Sequence, residues 1–314
     1  MNLHTEVCDL LNIKYPLLQG AMAWIAVGKL AGAVSQAGGL GIIGTGDADA
    51  KWLTEQINSV RGITSNPFGV NLMLTSPHVE EVIEVLVKEQ VPVVTTGGGN
   101  PGRYMQRLKD AGIIVIPVVS SVALAKRLSR LGADAIIAEG TESGGHVGVM
   151  TTMCLVPMVV DAVTVPVIAA GGIADGRGVI AAMALGAAGV QMGTRFICAT
   201  ECNVHLAYQQ KVVKSKDRDT VVCGTTTGHP VRAIHNSFTR LYTTAERQGA
   251  PVEQLMELGK GRYSAASLQG DLDNGSILAG QICGLVHSIQ PAAEIIEDIM
   301  KEAHLVGQRL AGGN

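Results

Sequence analysis

Two kinds of residue are in short supply in this sequence. Only 3% of its 314 residues are aromatic and only 16% carry charge, where an ordinary globular chain has about 25% charged. With 47% hydrophobic residues and a mean hydropathy of +0.28, the scarcity of charge excludes a disordered chain, because most of the polypeptide must pack away from water. Neither sign of charge dominates. A net charge of −3 and a pI near 6.2 leave no electrostatic footprint for nucleic acid. The six cysteines (Cys8, Cys154, Cys198, Cys202, Cys223, Cys283) show no C-x-x-C spacing and no disulfide-like framework. Cys198 and Cys202 lie four apart, but no His or Cys partner completes a zinc pattern. A reduced, cytoplasmic protein is expected. Residues 1–16 lack the basic and apolar regions of a secretory signal. The longest apolar stretch, 153–173, is broken by Pro157, Asp161 and Pro166, so no membrane span is expected.

What the chain has in excess is glycine, 39 residues or about 12% against an average near 7%. Its apolar residues recur as short Val/Ile-rich runs, each followed by a longer amphipathic stretch. Strands are predicted at 15–19, 40–44, 68–72, 91–95, 113–118, 135–139, 167–170 and 189–192. These runs are near-continuous rather than alternating, as in parallel strands covered on both faces. Helices are predicted between them at 27–36, 50–60, 78–87, 103–111, 123–130, 153–163 and 178–185. Eight βα units in succession predict an α/β fold of the (β/α)8 TIM-barrel type. A doubly wound open sheet is the alternative, and it would need a reversal of strand order.

The rhythm stops near residue 197. Residues 203–262 carry nine Lys or Arg against five Asp or Glu, a surplus of four positive charges within a chain of net −3. A helical pattern resumes from Ser276. The expected organisation is a barrel over 1–202, a basic helical lid over 203–275 inserted before the last barrel helix, and a C-terminal segment over 276–314 that returns to the barrel. The basic insert reads either as a solvated face or as an attractor for an acidic partner.

In such a barrel, chemistry sits at the carboxyl ends of the strands. Those ends read Gln19-Gly20-Ala21-Met22, Gly44-Thr45-Gly46, Asn71, 96–100, Pro117, Glu139–His146, Ala170-Gly171-Gly172 and Gln191-Met192-Gly193-Thr194. Small residues there leave room for a flat ligand. Gly171, Gly172, Gly193 and Thr194 present backbone N–H groups at the two loops where barrels commonly hold phosphate, with a helix amino terminus expected to help. The segment 39–44 matches G-x-G-x-x-G letter for letter, yet its glycines run through the strand itself and position 64 is Thr. It is therefore rejected as a dinucleotide fingerprint. His146, following Gly144 and Gly145, is the candidate for acid–base chemistry. Glu139 and Glu142 read either as a carboxylate pair or as water-facing groups, with Glu139 expected to hold neighbouring backbone amides. His205, His229 and His235 are read as surface residues.

Taken together these residues are recognisable. The chain resembles the flavin-dependent enoyl-acyl-carrier-protein reductases of bacterial type II fatty acid synthesis, within the larger nitronate monooxygenase (2-nitropropane dioxygenase-like) family. The resemblance runs from Tyr15-Pro16 to the helix beyond Gly280. It is carried by Gln19-Gly20-Ala21-Met22-Ala23-Trp24, by 38–43, by Pro67-Phe68-Gly69-Val70-Asn71 and by Ala138-Glu139-Gly140. The motifs continue with Gly144-Gly145-His146-Val147-Gly148, Ile168–Ile173 and Gln191–Phe196, and with Gly228-His229-Pro230-Val231-Arg232 in the insert. The resemblance implies FMN, its ring near Ala21, Met22, Asn71 and Glu139 and its phosphate at Gly171, Gly172, Gly193 and Thr194, with Gly20, Gly145, Gln191 and Met192 also among the residues that bind it. Ala21 departs from relatives that often have glycine there. His146 matches the family's active-site histidine. Also implied are NADH or NADPH as reductant, an enoyl thioester on acyl carrier protein as substrate, a homodimer, and a monovalent cation whose ligands the sequence does not place. The implied reaction is ping-pong hydride transfer through the flavin. Nitronate monooxygenase activity is the nearest rival. A sugar-phosphate barrel and a non-catalytic flavin sensor are more distant ones.

Overall fold

The fold was analysed in a computed structural model that describes residues 3–312. Eleven strands occur among them: β1 (Leu17–Gln19), β2 (Ile42–Gly44), β3 (Gly69–Met73), β4 (Val93–Gly97), β5 (Ile114–Val119), β6 (Ile136–Glu139), β7 (Gly145–His146), β8 (Val167–Ala170), β9 (Gly189–Met192), β10 (Thr220–Cys223) and β11 (Val231–Ile234). Eight of these are parallel neighbours in the order β1-β9-β8-β6-β5-β4-β3-β2. The ring is closed between β1 and the approach to β2. A bridge joins Leu18 to Leu40, the Gln19 amide donates to Leu40 O at 2.9 Å, and the Leu40 amide donates to Leu17 O at 2.9 Å. Gln19 adds a second clasp, its amide side chain receiving the Ile42 N–H at 3.1 Å and donating to Ile42 O at 3.2 Å. The predicted (β/α)8 barrel is what the chain forms, with all eight strands where the sequence puts them and their ends within two residues of the expected ones.

Both faces of each barrel strand are apolar because each face meets a different core. Leu18, Leu40, Ile42, Val93, Ile116, Ile137 and Ile168 fill the barrel interior. Leu17, Ile43, Val94, Val115, Ile136 and Val167 pack outward against the helices. Val7 and Leu11, from a short helix at Glu6–Leu11, join the interior set and plug the end of the barrel where the strands begin. The Thr5 hydroxyl donates to Ala188 O, one residue before β9, at 2.5 Å. Seven helices follow the predicted rhythm: Gly28–Gln36, Ala50–Ile63, Val79–Lys88, Gly102–Asp110, Val122–Arg130, Thr152–Val160 and Gly176–Ala184. Several begin at the side-chain caps expected of Asp and Ser, with Asp49, Ser121 and Asp175 each accepting first-turn amides.

Beyond the barrel the structure differs from expectation in two respects. The basic segment is not purely helical. Besides helices at Leu206–Val213, Ser237–Arg247, Val252–Gly259 and Arg262–Ser267, it holds the antiparallel hairpin β10–β11, which pairs in turn with β7. Thr220–Cys223 is a short β-branched run behind a charged stretch, and Val231–Ile234 carries Arg232 within it, so neither reads as an apolar strand in the sequence. Helix also does not resume at Ser276. Residues 276–291 form an extended strap containing a single 3-10 turn at Gln281–Leu285. The final helix, Ala292–Leu310, begins after Pro291 and packs against Gly176–Ala184 and Gly28–Gln36, in the place of the eighth barrel helix. Among the described residues, no helix is long and apolar enough to cross a membrane.

Candidate functional site at the carboxyl ends of the strands

Alternation along the strands decides which side chains line the mouth. Val70 and Leu72 pack outward, so Asn71 between them faces inward, and the same reasoning turns Gln191 inward between Val190 and Met192. Thr95 and Glu139 lie two residues beyond the interior residues Val93 and Ile137 and share their face. Asn71, Thr95, Glu139 and Gln191 therefore form a polar layer directly above the apolar interior. Asn71 is fixed in it, donating through Nδ2 to Thr95 Oγ1 at 2.9 Å and receiving the Thr45 hydroxyl on its main-chain oxygen at 2.7 Å. A Cβ on Gly20 would stand 3.2 Å from the Gln191 side chain, which brings the β1 and β9 ends together. Ala21 packs against the interior cluster, and Met22 against the outer one. The Met192 side chain points outward as well, so this residue faces the mouth only through its backbone, where its carbonyl accepts the Gly20 N–H at 2.8 Å.

The carboxylate that holds a neighbouring amide is not Glu139, as the sequence suggested. Glu142 is the structural carboxylate. Both its oxygens accept the Thr152 amide at 3.0 Å, and the Thr152 hydroxyl lies 3.0 Å from one of them and 2.9 Å from Gly171 O. It thereby caps the helix Thr152–Val160 and ties the sixth loop to the seventh. The sequence signal for Thr152 was its place just before an apolar helical run. No backbone amide among the described residues donates to Glu139. Burial pushes its carboxyl up to about 7, an effect only partly opposed by Ser143. Ser143 Oγ approaches that carboxyl without completing a hydrogen bond, and it is buried with no other partner among the described residues. An acid held near neutrality beside an unsatisfied hydroxyl is a polar pair facing the mouth with bonding capacity to spare.

The two glycine loops lie beside this pair. Gly171 and Gly172 have φ of +84° and +73°, and a Cβ on Gly171 would come within 2.8 Å of Gly140 O. Only glycine fits there. Among the described residues no acceptor receives the N–H groups of Gly171, Gly172 or Gly193. The helix that follows cannot help as the sequence suggested, because its first amides are already taken. Asp175 accepts from Arg177 N and Gly178 N, and Glu302 accepts from Gly176 N at 2.8 Å. Capacity for an anion therefore rests with the loop amides and with the Thr194 hydroxyl, which receives the Gly280 N–H at 2.9 Å and keeps its own hydrogen free to donate. Arg195 contributes nothing to that charge. It is buried and turned away, to Ser288 O at 3.3 Å and Gln290 Oε1 at 2.5 Å.

Gly280 belongs to the strap, which the sequence did not place at the site. Its backbone crosses that of Gly144 so closely that a Cβ on Gly144 would lie 2.6 Å from Ala279 C. Gln281 N donates to Glu142 O at 2.9 Å. The strap thus seals the mouth between the sixth and eighth strand ends. His146 is no free loop residue. It sits on β7 opposite Val231 of the insert, while Gly145 pairs with Arg232 and Val147 N donates to Pro230 O at 3.0 Å. Its ring remains reachable from solvent but is crowded by protein on its inner side, which lowers its pKa, as does the neighbouring His229 ring. Arg232 is buried, donating through Nε to Thr141 O at 3.1 Å and so fastening the insert to the sixth loop. His205 caps the helix Leu206–Val213 through Nδ1, and His235 is exposed.

With this geometry in place, the chain can be set beside known proteins. The nitronate monooxygenase family matches residues 4–82 and 78–302. The solved structure of FabK from Thermotoga maritima superimposes with a TM-score of 0.96, is 49% identical, and each chain covers 99% of the other. A probable nitronate monooxygenase from Staphylococcus aureus is 34% identical over 96% of this chain and 98% of its own length. A hydroxy-methyl-oxo-octahydroindene-carboxyl-CoA dehydrogenase from Mycobacterium tuberculosis is 31% identical over 96% of this chain and 97% of its own.

Proposed function

Because the chain belongs to the nitronate monooxygenase family, we propose that it is the flavin-dependent enoyl-acyl-carrier-protein reductase among its members, using FMN and NADH. One observation carries the choice of subgroup: the likeness to FabK spans 99% of both chains at 49% identity and includes the insert that fixes His146. The alternative, oxidation of alkyl nitronates with oxygen, is favoured by the Staphylococcus aureus relative.

The mouth suits FMN. The polar layer of Asn71, Glu139 and Gln191, with Gly20, Ala21 and Gly145 beside it, would receive the ring. The backbone of Gly171, Gly172, Met192 and Gly193 and the Thr194 hydroxyl would hold the phosphate. The unpartnered Ser143 hydroxyl and the free loop amides are the observations in favour of that fit. FMN held there would supply the hydride chemistry that links a nicotinamide to the β-carbon of an enoyl thioester. The remaining work falls to the polypeptide. Glu139, neutral for part of the time near pH 7, can donate to the ring's carbonyl edge as well as accept. His146 offers its N–H to the thioester oxygen, or its proton to the α-carbon, and so stabilises the developing enolate. The insert, proposed here as the lid over 203–275, would exclude water from that exchange together with the strap at 276–291.

The test separates the half-reactions. His146→Ala is expected to leave FMN bound and its reduction by NADH nearly intact. It should slow reoxidation by an enoyl thioester by roughly a hundredfold or more. Unchanged turnover in that variant would remove His146 from the reaction. A reduced protein that ignores enoyl thioesters, while the oxidised one consumes nitronates, would give the assignment to the rival.

A further inference from the structure

The insert brings a second imidazole to the mouth. His229 stands edge-to-face with His146, ring centroids 6.5 Å apart and planes at 86°. The backbone that carries each ring is fixed. His146 is held by the β7–β11 pairing, and His229 precedes Pro230, whose carbonyl receives the Val147 amide. The turn that carries His229 is anchored from beneath by one carboxylate. Glu246 accepts from Thr226 N at 2.8 Å, Gly224 N at 3.2 Å, Thr225 Oγ1 at 3.0 Å and Thr226 Oγ1 at 2.9 Å. His229 N then donates to Thr227 Oγ1 at 3.3 Å. These bonds fix the backbone of the turn that carries His229, and the ring itself rests against His146.

We propose that His229 is a positioning residue acting through His146: the two rings form one imidazole pair, in which a charge at position 229 governs whether His146 takes up a proton. This rests on the proposal that His146 is the acid–base group of the reaction. The surroundings leave the second ring as the main charge partner. Arg232, opposite Gly145 on β11, turns its guanidinium to Thr141 O and Thr220 Oγ1. Glu142 is committed to Thr152. Glu139, on β6 below, is near its titration point at neutral pH, and Glu246 lies behind the turn. The strap residues 278–280, which pass beside Gly145, carry no ionisable side chain. Two imidazolium ions at this separation repel, so a positive charge at position 229 disfavours a second proton on His146. The lowered proton affinity of His146, caused first by burial and then by His229, agrees with this. Chemically, the insert would keep the His146 ring neutral, with its single N–H, until developing negative charge on the thioester favours a second proton.

A charge series on the holoenzyme decides. The His146 ring is followed by NMR titration with labelled histidine, its signal assigned by its loss in His146→Gln. His229→Gln removes the second charge and is expected to raise the His146 pKa above wild type. His229→Phe keeps the edge-to-face contact without a titrating group and is expected to do the same. It also stands in should the glutamine variant fail to fold. His229→Lys installs a permanent charge and is expected to lower it. The acid limb of the flavin reoxidation rate with enoyl thioester should move in the same directions. A His146 pKa that stays put, or that shifts the same way in all three variants, overturns the coupling. If the NMR shifts follow the series while the rate profile does not, the pair stands and the role of His146 in turnover falls instead.

Discussion

Replacing Glu139 by Gln should change how stability depends on pH in a way that tests the polar layer directly. In the folded chain the carboxyl is held at about 7 by burial, against 4.5 for the free side chain. Between those values the folded state binds the proton more tightly than the unfolded state, so stability falls as pH rises through the window, and the whole penalty is present above 7. A displacement of about 2.5 units corresponds to about 3 kcal/mol at most, at 1.36 kcal/mol per unit, and solvent reaching the mouth reduces that figure. Glutamine keeps the shape and cannot ionise. Urea denaturation of flavin-free wild type and Glu139→Gln, from pH 4.5 to 8, should therefore give a stability difference that grows with pH in favour of the variant. All other carboxylates contribute equally to both proteins and cancel in that difference. A difference that is constant over the window would mean that Glu139 ionises as it does in water, and that no buried acid lines the mouth.

The other predictions are briefer. Glu142→Ala removes the acceptor for the Thr152 amide and should cost about 1–2 kcal/mol in thermal or chemical denaturation, as loss of a helix cap does, together with weaker FMN retention. A stability equal to wild type would contradict the anchoring role. Gly171→Ala forces a side chain into a φ of +84° and to within 2.8 Å of Gly140 O, so FMN affinity measured by dialysis should fall at least about tenfold, the strain costing about 1–3 kcal/mol; undiminished affinity would take this loop out of the site. Charge reversal at the exposed Lys214 and Arg218 of the insert should raise KM for carrier-protein thioesters more than for coenzyme A thioesters. Equal effects on both substrates would leave the basic insert a solvated face.

The barrel was readable because its strands are apolar on both faces and its helices keep a steady interval; β-branched runs such as Ile114–Val119 and Val167–Ala170 announce themselves locally. The glycine loops were readable for a related reason, since Gly171-Gly172 and Gly193-Thr194 stand at the ends of such runs. What escaped was non-local. A two-residue strand such as Gly145–His146 has no pattern of its own and exists only because Val231 and Arg232 arrive from the insert to pair with it. The strap at 276–291 follows the course of the mouth, not a periodicity, so neither Gly280 nor Ala279 could be assigned to the site. Glu139 and Glu142 are chemically alike and three positions apart. Only the arrival of Thr152 beside one, and the withdrawal of the other from water, separates anchor from acid. Likewise nothing in the residues before Pro230 signalled that His229 would face His146.

The claim beneath all of this is that a flavin mononucleotide lies in the mouth of the barrel. The most direct measurement is the FMN content of the purified protein, by visible spectrum and by quantifying the released nucleotide after denaturation. One FMN per chain, in a yellow protein that NADH bleaches without oxygen, is the predicted result. A colourless protein that releases no FMN and takes none up from an excess would contradict it.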